Sequence, residues 1–196
     1  MTEGDEYLGE YASVYSIVKQ TLPLLLICVI LGLLAGVVLG AMESSLEALP
    51  GLLVLVPAIL ATRGNIFGAF GSRLGSALHQ GLIRPELKRD NNLIHSIAAA
   101  LVEGVIMSIF LATVAHYVIL MLERESIGII PLIAISLIAA VVSGIVLTVF
   151  IIVLAFAGYK RGIDPDNITG PIATTVGDLL AMIALFMAAE VILGVI

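Results

Sequence analysis

Tryptophan is absent from this 196-residue chain, cysteine occurs once, histidine three times, and only 12% of the residues carry charge. Each shortage excludes something. A lone cysteine, Cys28, permits no disulfide within the chain and no thiolate metal cluster. Set in an apolar run, it reads as a small packing residue. No HExxH pair and no nucleophile beside a base occurs, which leaves no catalytic residue to name and argues against an enzyme. A net charge of -6 leaves no basic patch of the kind nucleic acid requires. The acidic N-terminus lacks the basic start of a signal peptide.

What remains is apolar: 60% of the chain is hydrophobic and the mean hydropathy is +1.17. Soluble domains carry roughly a quarter charged residues, so the chain is expected to be an all-α integral membrane protein. A helix needs about 20 apolar residues to cross a bilayer. Five stretches qualify: 22–42, 51–78, 93–122, 129–157 and 171–196. The alternating signature of an outer-membrane barrel is missing. Lys19, Arg84, Lys88, Arg89, Lys160 and Arg161 fall on one side of these spans, and Arg124 alone on the other. The positive-inside rule then puts the N-terminus inside and the C-terminus outside, in a multi-pass plasma-membrane protein. Residues 1–21 carry Tyr7, Tyr11 and Tyr15 at helical spacing, which predicts a helix lying in the cytoplasmic interface.

The second span holds polar residues deep inside "LVPAILATRGNIFGAFGSRL". At about 1.5 Å per residue, Arg63 lies about 18 Å from its outer end, Glu103 about 15 Å above the inner end of the third span, and Asp178 about 10 Å above that of the fifth. Arg63, Asn65, Glu103 and Asp178 thus share one inner-middle layer. Ionisable residues at such depth face a bundle interior or an aqueous path. One alternative is a purely structural ion pair, Arg63 with Asp178 or Glu103. Arg73, lower on the second span, is expected to reach the inner interface by snorkelling.

Small residues accompany the layer. Gly64, Gly68, Gly71 and Gly75 form one stripe; Asn65, Ser72 and Ser76 form the next. Gly177, Ala181, Ala184 and Ala188 repeat the spacing on the fifth span, beside Asp178. Such stripes allow close helix packing; they also expose backbone oxygens to a narrow polar path. In "GIDPDNITGP", Asn167 or Thr169 is placed to cap the fifth helix with Pro171 in its first turn. Asp164 and Asp166 then sit at the cytoplasmic mouth, as solvated charges or as a means of raising local cation concentration. His116 and Glu190 belong near the outer interface, His79 and His95 beside the inner loop.

"PAILATRGNIFGAFGSRL" together with "DPDNITGPIATTVGDLL" resembles the membrane domain of MgtE-type magnesium transporters, and most closely the related solute carrier 41 family. With the five-helix plan the resemblance spans about residues 22–196. It implies five-helix units paired around an ion path lined by the second and fifth helices, here as a homodimer in the lipid bilayer. It implies that Asp178 is the main divalent-cation site and that Gly64 and Asn65 are the family's Gly-Asn pair. The candidate metal residues are Asp178, Asn65, Gly64 and Thr174. Arg63, Glu103, Ser72, Gly68 and Gly177 are candidate supporting or gating groups, and Asp164, Asp166 and Asn167 candidate mouth residues. Mg²⁺ would be the transported ion, with no resident cofactor. A hard ion that keeps its waters suits carboxylate, amide and carbonyl oxygen. Arg63 stands where MgtE-type sequences carry a neutral residue, although solute carrier 41 sequences can carry a basic one. The competing readings are a Na⁺- or H⁺-coupled transporter of another solute using the same acids, and a structural subunit of a membrane complex.

Overall fold

Backbone amides in hydrocarbon must bond within their own segment, and long runs of Leu, Ile, Val and Ala meet that demand as helices. The computed structural model of the protein describes residues 14–86, 88–162 and 165–195, without the side chains at 16, 17, 20 and 165–168. Its elements are α1 (Val14–Ala41), the short α2 (Glu43–Ala48), α3 (Leu52–His79), α4 (Asn91–Met121), α5 (Ile129–Lys160) and α6 (Pro165–Leu193), with no strand among the described residues. All but α2 are long and apolar enough to cross a membrane. Among the described residues the chain is thus all-α, with five candidate membrane-spanning helices.

Three details differ from the sequence reading. α1 is continuous from Val14 through Pro23 to Ala41, so Tyr15 begins the first membrane helix rather than ending a separate interfacial one. Tyr7 and Tyr11 lie outside the described residues. α6 begins at Pro165, not Pro171. Pro165 supplies the fixed φ that suits a first turn, so Thr169 is buried within the helix instead of capping it. α2 is an added half-step between the first two spans.

The helix ends are tied in two sets. At one end Ile127 N donates to Pro50 O at 3.1 Å, and Ser45 Oγ donates to Glu190 Oε1 at 2.6 Å. His116 Nδ1 is hydrogen-bonded to Ser126 Oγ at 2.8 Å there as well. At the other end the His79 ring meets Tyr159 edge-on at 5.6 Å. Asp90 caps α4 there, accepting from Asn92 N at 2.8 Å and Leu93 N at 3.2 Å.

α6 is the hub, packing against α1, α3 and α5, while α4 closes on α3 and α5. α1 stands apart. Ala35 is its only fully buried side chain among those described, and Leu26, Ile30, Leu33 and Val37 are exposed, as suits a lipid-facing helix. The core falls into two apolar clusters. One gathers Leu55, Ile59, Ile135, Ala181 and Leu185; the other gathers Phe67, Phe70, Leu147, Ile151 and Ala173. The levels between them, near residues 63–65, 143–144 and 177–178, are the polar ones.

Glycine sets the α3–α6 distance. A Cβ built on Gly71 would stand 3.0 Å from Thr169 Cβ, and one on Gly64 would stand 3.1 Å from Thr174 Cγ2. Gly68, between them in sequence, has nothing within 4 Å of its Cβ position. Gly71→Ala must push α6 outward, because Thr169 Cβ is fixed to backbone and cannot rotate aside. It is expected to lower stability in detergent by about 1–3 kcal/mol. Gly68→Ala is expected to leave it unchanged. Unfolding midpoints of the two variants side by side check the ranking.

Candidate cation site

A cavity of about 260 Å³ opens between α3 and α6, lined by Leu60, Ala61, Gly64, Asn65, Thr174 and Asp178. Helical spacing builds it. Ala61 and Asn65 are one turn apart on α3, and Thr174 and Asp178 one turn apart on α6, so each pair shares a face. Gly64 lets the two faces meet, since any side chain there would run into Thr174. The four candidate metal residues of the sequence reading, Asp178, Asn65, Gly64 and Thr174, therefore border one space.

The donor set is oxygen throughout: one carboxylate, one amide, one hydroxyl. Thr174 Oγ1 donates its proton to Gly170 O at 3.0 Å and keeps its lone pairs free to accept. Asp178 is half-buried and has no ion pair among the described residues. No three His, Cys, Asp or Glu side chains cluster as a metal cage among those residues. One carboxylate and a roomy cavity suit a cation that keeps its waters, not one stripped and enclosed.

The cavity continues as a polar stripe. Ala61, Asn65, Ser72, Arg73 and Ser76 are exposed along α3, and Thr174 is exposed beside them on α6. Arg73 Nη2 lies 3.7 Å from Glu103 Oε2 of α4, with side-chain exposures of 51% and 45%. Exposed polar groups at this depth are costly against lipid. The stripe is thus unlike the bare face of α1, which is exposed but apolar.

Arg63 faces the other way. Two residues from Asn65 is about 200° around the helix, which points Arg63 at α4 and α5. It is only 3% exposed. Its guanidinium carbon lies 5.7 Å from the Phe67 ring centroid, a cation–π distance. Its Nη1 lies where Cβ atoms on Gly104 and Gly144 would approach to 3.7 and 3.1 Å. A space of about 10 Å³ borders it, with Thr62, Gly104 and Ser108 among the lining residues. The expected partners are not there: among the described residues Arg63 pairs with neither Asp178 nor Glu103. The helical turn carries it away from Asp178, and Glu103 is engaged by Arg73 instead.

Sequence reasoning missed this cradle. Its signal was present: Ser108 donates to Gly104 O at 2.7 Å and Thr148 to Gly144 O at 2.7 Å, so α4 and α5 each carry a glycine followed one turn later by a hydroxyl. Other candidates fall elsewhere. Gly177 is buried against Leu147 of α5 and does not line the cavity. Ser72 and Gly68 lie on the open stripe side. Asp164 lies outside the described residues, as do the side chains of Asp166 and Asn167.

A family model described as MgtE, divalent cation transporter, matches residues 56–188, a stretch that contains α6 up to Ala188 and nearly all of α3. The chain belongs to the MgtE divalent cation transporter family. Among its relatives is solute carrier family 41 member 2 of Gallus gallus, 30% identical over 132 residues that cover 66% of this chain and 23% of the relative. Member 2 of Homo sapiens is 28% identical over the same coverage. Solute carrier family 41 member 3 of Rattus norvegicus is 27% identical over 138 residues, 67% of this chain and 29% of the relative. The matches span about a quarter of the length of these relatives. Within this MgtE-family chain the matched region holds every residue of the α3–α6 cavity and of the Arg63 cradle.

The cradle yields a ranking. Gly144→Ala brings a methyl to 3.1 Å from Arg63 Nη1, 3.4 Å from Leu101 Cδ2 and 3.5 Å from Phe67 Cζ at once. Gly104→Ala meets only an ordinary contact at 3.7 Å. Gly144→Ala is expected to cost about 1–3 kcal/mol and Gly104→Ala less, as read by thermal unfolding in detergent.

Proposed function

We propose that the chain moves divalent cations, Mg²⁺ first among them, across the plasma membrane along a path lined by α3 and α6, with Asp178 as its main carboxylate. Membership of a divalent cation transporter family supports the class of substrate. The observation that carries the assignment within this chain is the cavity shared by Gly64, Asn65, Thr174 and Asp178. It lies midway along α3, between two apolar clusters. Magnesium dehydrates reluctantly and is commonly held through one or two carboxylates with several waters retained. A carboxylate, an amide oxygen and a hydroxyl around a roomy cavity match that habit.

A second copy completes the path in this reading. The α3 stripe of Asn65, Ser72, Arg73 and Ser76 is exposed at a depth where lipid would leave its polar groups unsatisfied. Two-fold pairing across that stripe would cover it and set two Asp178 carboxylates across one channel, an isologous arrangement. The lysines and arginines at the α3–α4 and α5–α6 connections then lie in the cytoplasm, with the N-terminus.

Asp178→Asn is expected to reduce Mg²⁺ flux into proteoliposomes at least tenfold while leaving the fold intact. Mn²⁺ and Co²⁺ should compete with Mg²⁺, and Na⁺ should not. Full flux in Asp178→Asn would defeat the assignment, and flux that requires Na⁺ or a proton gradient without divalent ions would favour a different solute. The pairing has its own test. Cys28 is the chain's single cysteine, so Cys28→Ala gives a clean background for Ala61→Cys on the exposed stripe. Oxidation is expected to trap a covalent dimer in membranes, and a chain that stays monomeric would overturn the pairing.

A further inference from the structure

We infer that Arg63 sets how tightly a passing cation is held: its positive charge, without an acidic partner among the described residues and held behind α3, weakens the hold of Asp178 on a divalent ion so that the ion leaves. The inference rests on the transport reading above and adds a role for a residue that touches neither the cavity nor the ion.

A buried charge without a partner is among the least favourable features a membrane bundle can hold. Arg63 is 3% exposed and has no acidic partner among the described residues. Yet its place is built. Gly144 on α5 leaves out a side chain that would crowd the guanidinium at 3.1 Å, Gly104 on α4 borders it at an ordinary 3.7 Å, and the Phe67 ring lies within cation–π distance. Three side-chain volumes are arranged around one cation. A leucine at 63 would have packed a bundle with less difficulty.

The nearest acid on α4 is withheld from it. Glu103 neighbours Gly104 in sequence, but its carboxylate is 3.7 Å from Arg73. Of these two arginines and two carboxylates, Arg73 and Glu103 are joined, while Arg63 and Asp178 are divided by the thickness of α3. The field of Arg63 is left to act across the helix, over about 10 Å, on whatever occupies the Asp178 cavity. Arg63 itself is 3% exposed, so on its own side of α3 the charge meets little water or salt that could screen it.

The charge balance decides what this does. Two Asp178 carboxylates alone would be neutralised by one divalent ion and would hold it tightly. With two Arg63 charges behind them the empty layer is already neutral, and the ion enters as an excess. Conduction needs a site favourable enough to enter and weak enough to leave. Arg63 moves the balance toward leaving.

The test compares Arg63→Gln, Arg63→Lys and the unaltered protein in Mg²⁺ flux and in Mg²⁺ binding by calorimetry in detergent. Arg63→Gln is expected to bind Mg²⁺ tighter and reach half-maximal flux at a concentration lower by on the order of tenfold, as a unit charge about 10 Å from a divalent ion implies. Its maximal rate should fall, because release slows. Arg63→Lys, which keeps the charge, should stay near the unaltered protein in both. If Arg63→Gln does not fold, Arg63→Met fills the same space with an unbranched apolar chain and takes its place. Unchanged binding and half-saturation in the neutral variant overturn the inference. So does failure of all three variants to fold, which would make Arg63 a brace. If the unaltered protein itself neither binds nor carries divalent ions, the transport reading falls first, and that outcome is distinct.

Discussion

How closely α6 lies on α3 governs the site. Side-chain-free contact at Gly71 with Thr169 and at Gly64 with Thr174 brings the two backbones together. Small residues are the means by which helices in lipid approach, since no hydrophobic force drives them together there. The consequence is chemical. At a longer separation Asn65 and Asp178 would each face lipid or the bundle alone. At this separation they border one cavity with Thr174. A glycine at 64 is thus a statement about Asp178, although the two are more than a hundred residues apart.

The same helix keeps two electrostatic environments apart. One face of α3 carries Asn65, Ser72 and Arg73 toward the open side; the opposite face carries Arg63 into the α4–α5 seam. The division follows from the helical repeat, because neighbouring residues in sequence point in different directions. Arg63, Gly64 and Asn65 are consecutive and do three unlike things: one is caged, one permits contact with α6, one borders the cavity. A substitution at any of the three acts through a different neighbour, so effects at adjacent positions are not interchangeable.

Much of this was legible in the sequence. The five spans followed from apolar length, and the small-residue spacing on the second and fifth spans pointed to their contact. Asp178, Asn65, Gly64 and Thr174 were nominated together partly on a family resemblance, and the structure brings them to one cavity. What failed was partner choice. Depth along a helix axis can be counted from sequence, and it placed Arg63, Glu103 and Asp178 in one layer. Angle around the axis relative to other helices cannot be counted until the bundle is assembled. Arg63 was therefore paired by depth with acids that its direction denies it. Glu103 went to Arg73, whose long side chain spans the difference in level. The start of α6 was misread for another reason: Pro171 and Pro165 are both compatible with a first turn, and nothing local chooses between them.

The exposure pattern bears on how an ion would travel. Two faces of the bundle are open, and they are chemically opposite. α1 offers Leu26, Ile30, Leu33 and Val37, which hydrocarbon accepts at no cost. The α3 stripe offers an amide, hydroxyls and the Arg73–Glu103 pair, which hydrocarbon does not accept. A bundle that merely packed would bury polar groups among its own helices, as it buries Ser108, Ser136, Ser143 and Thr148, each donating to a carbonyl one turn back. Those four hydroxyls show that the fold has a way of hiding polarity. The stripe is polarity left unhidden. A second protein surface and a file of water covering it would account for that, as the proposed passage of a hydrated cation by Asp178 requires.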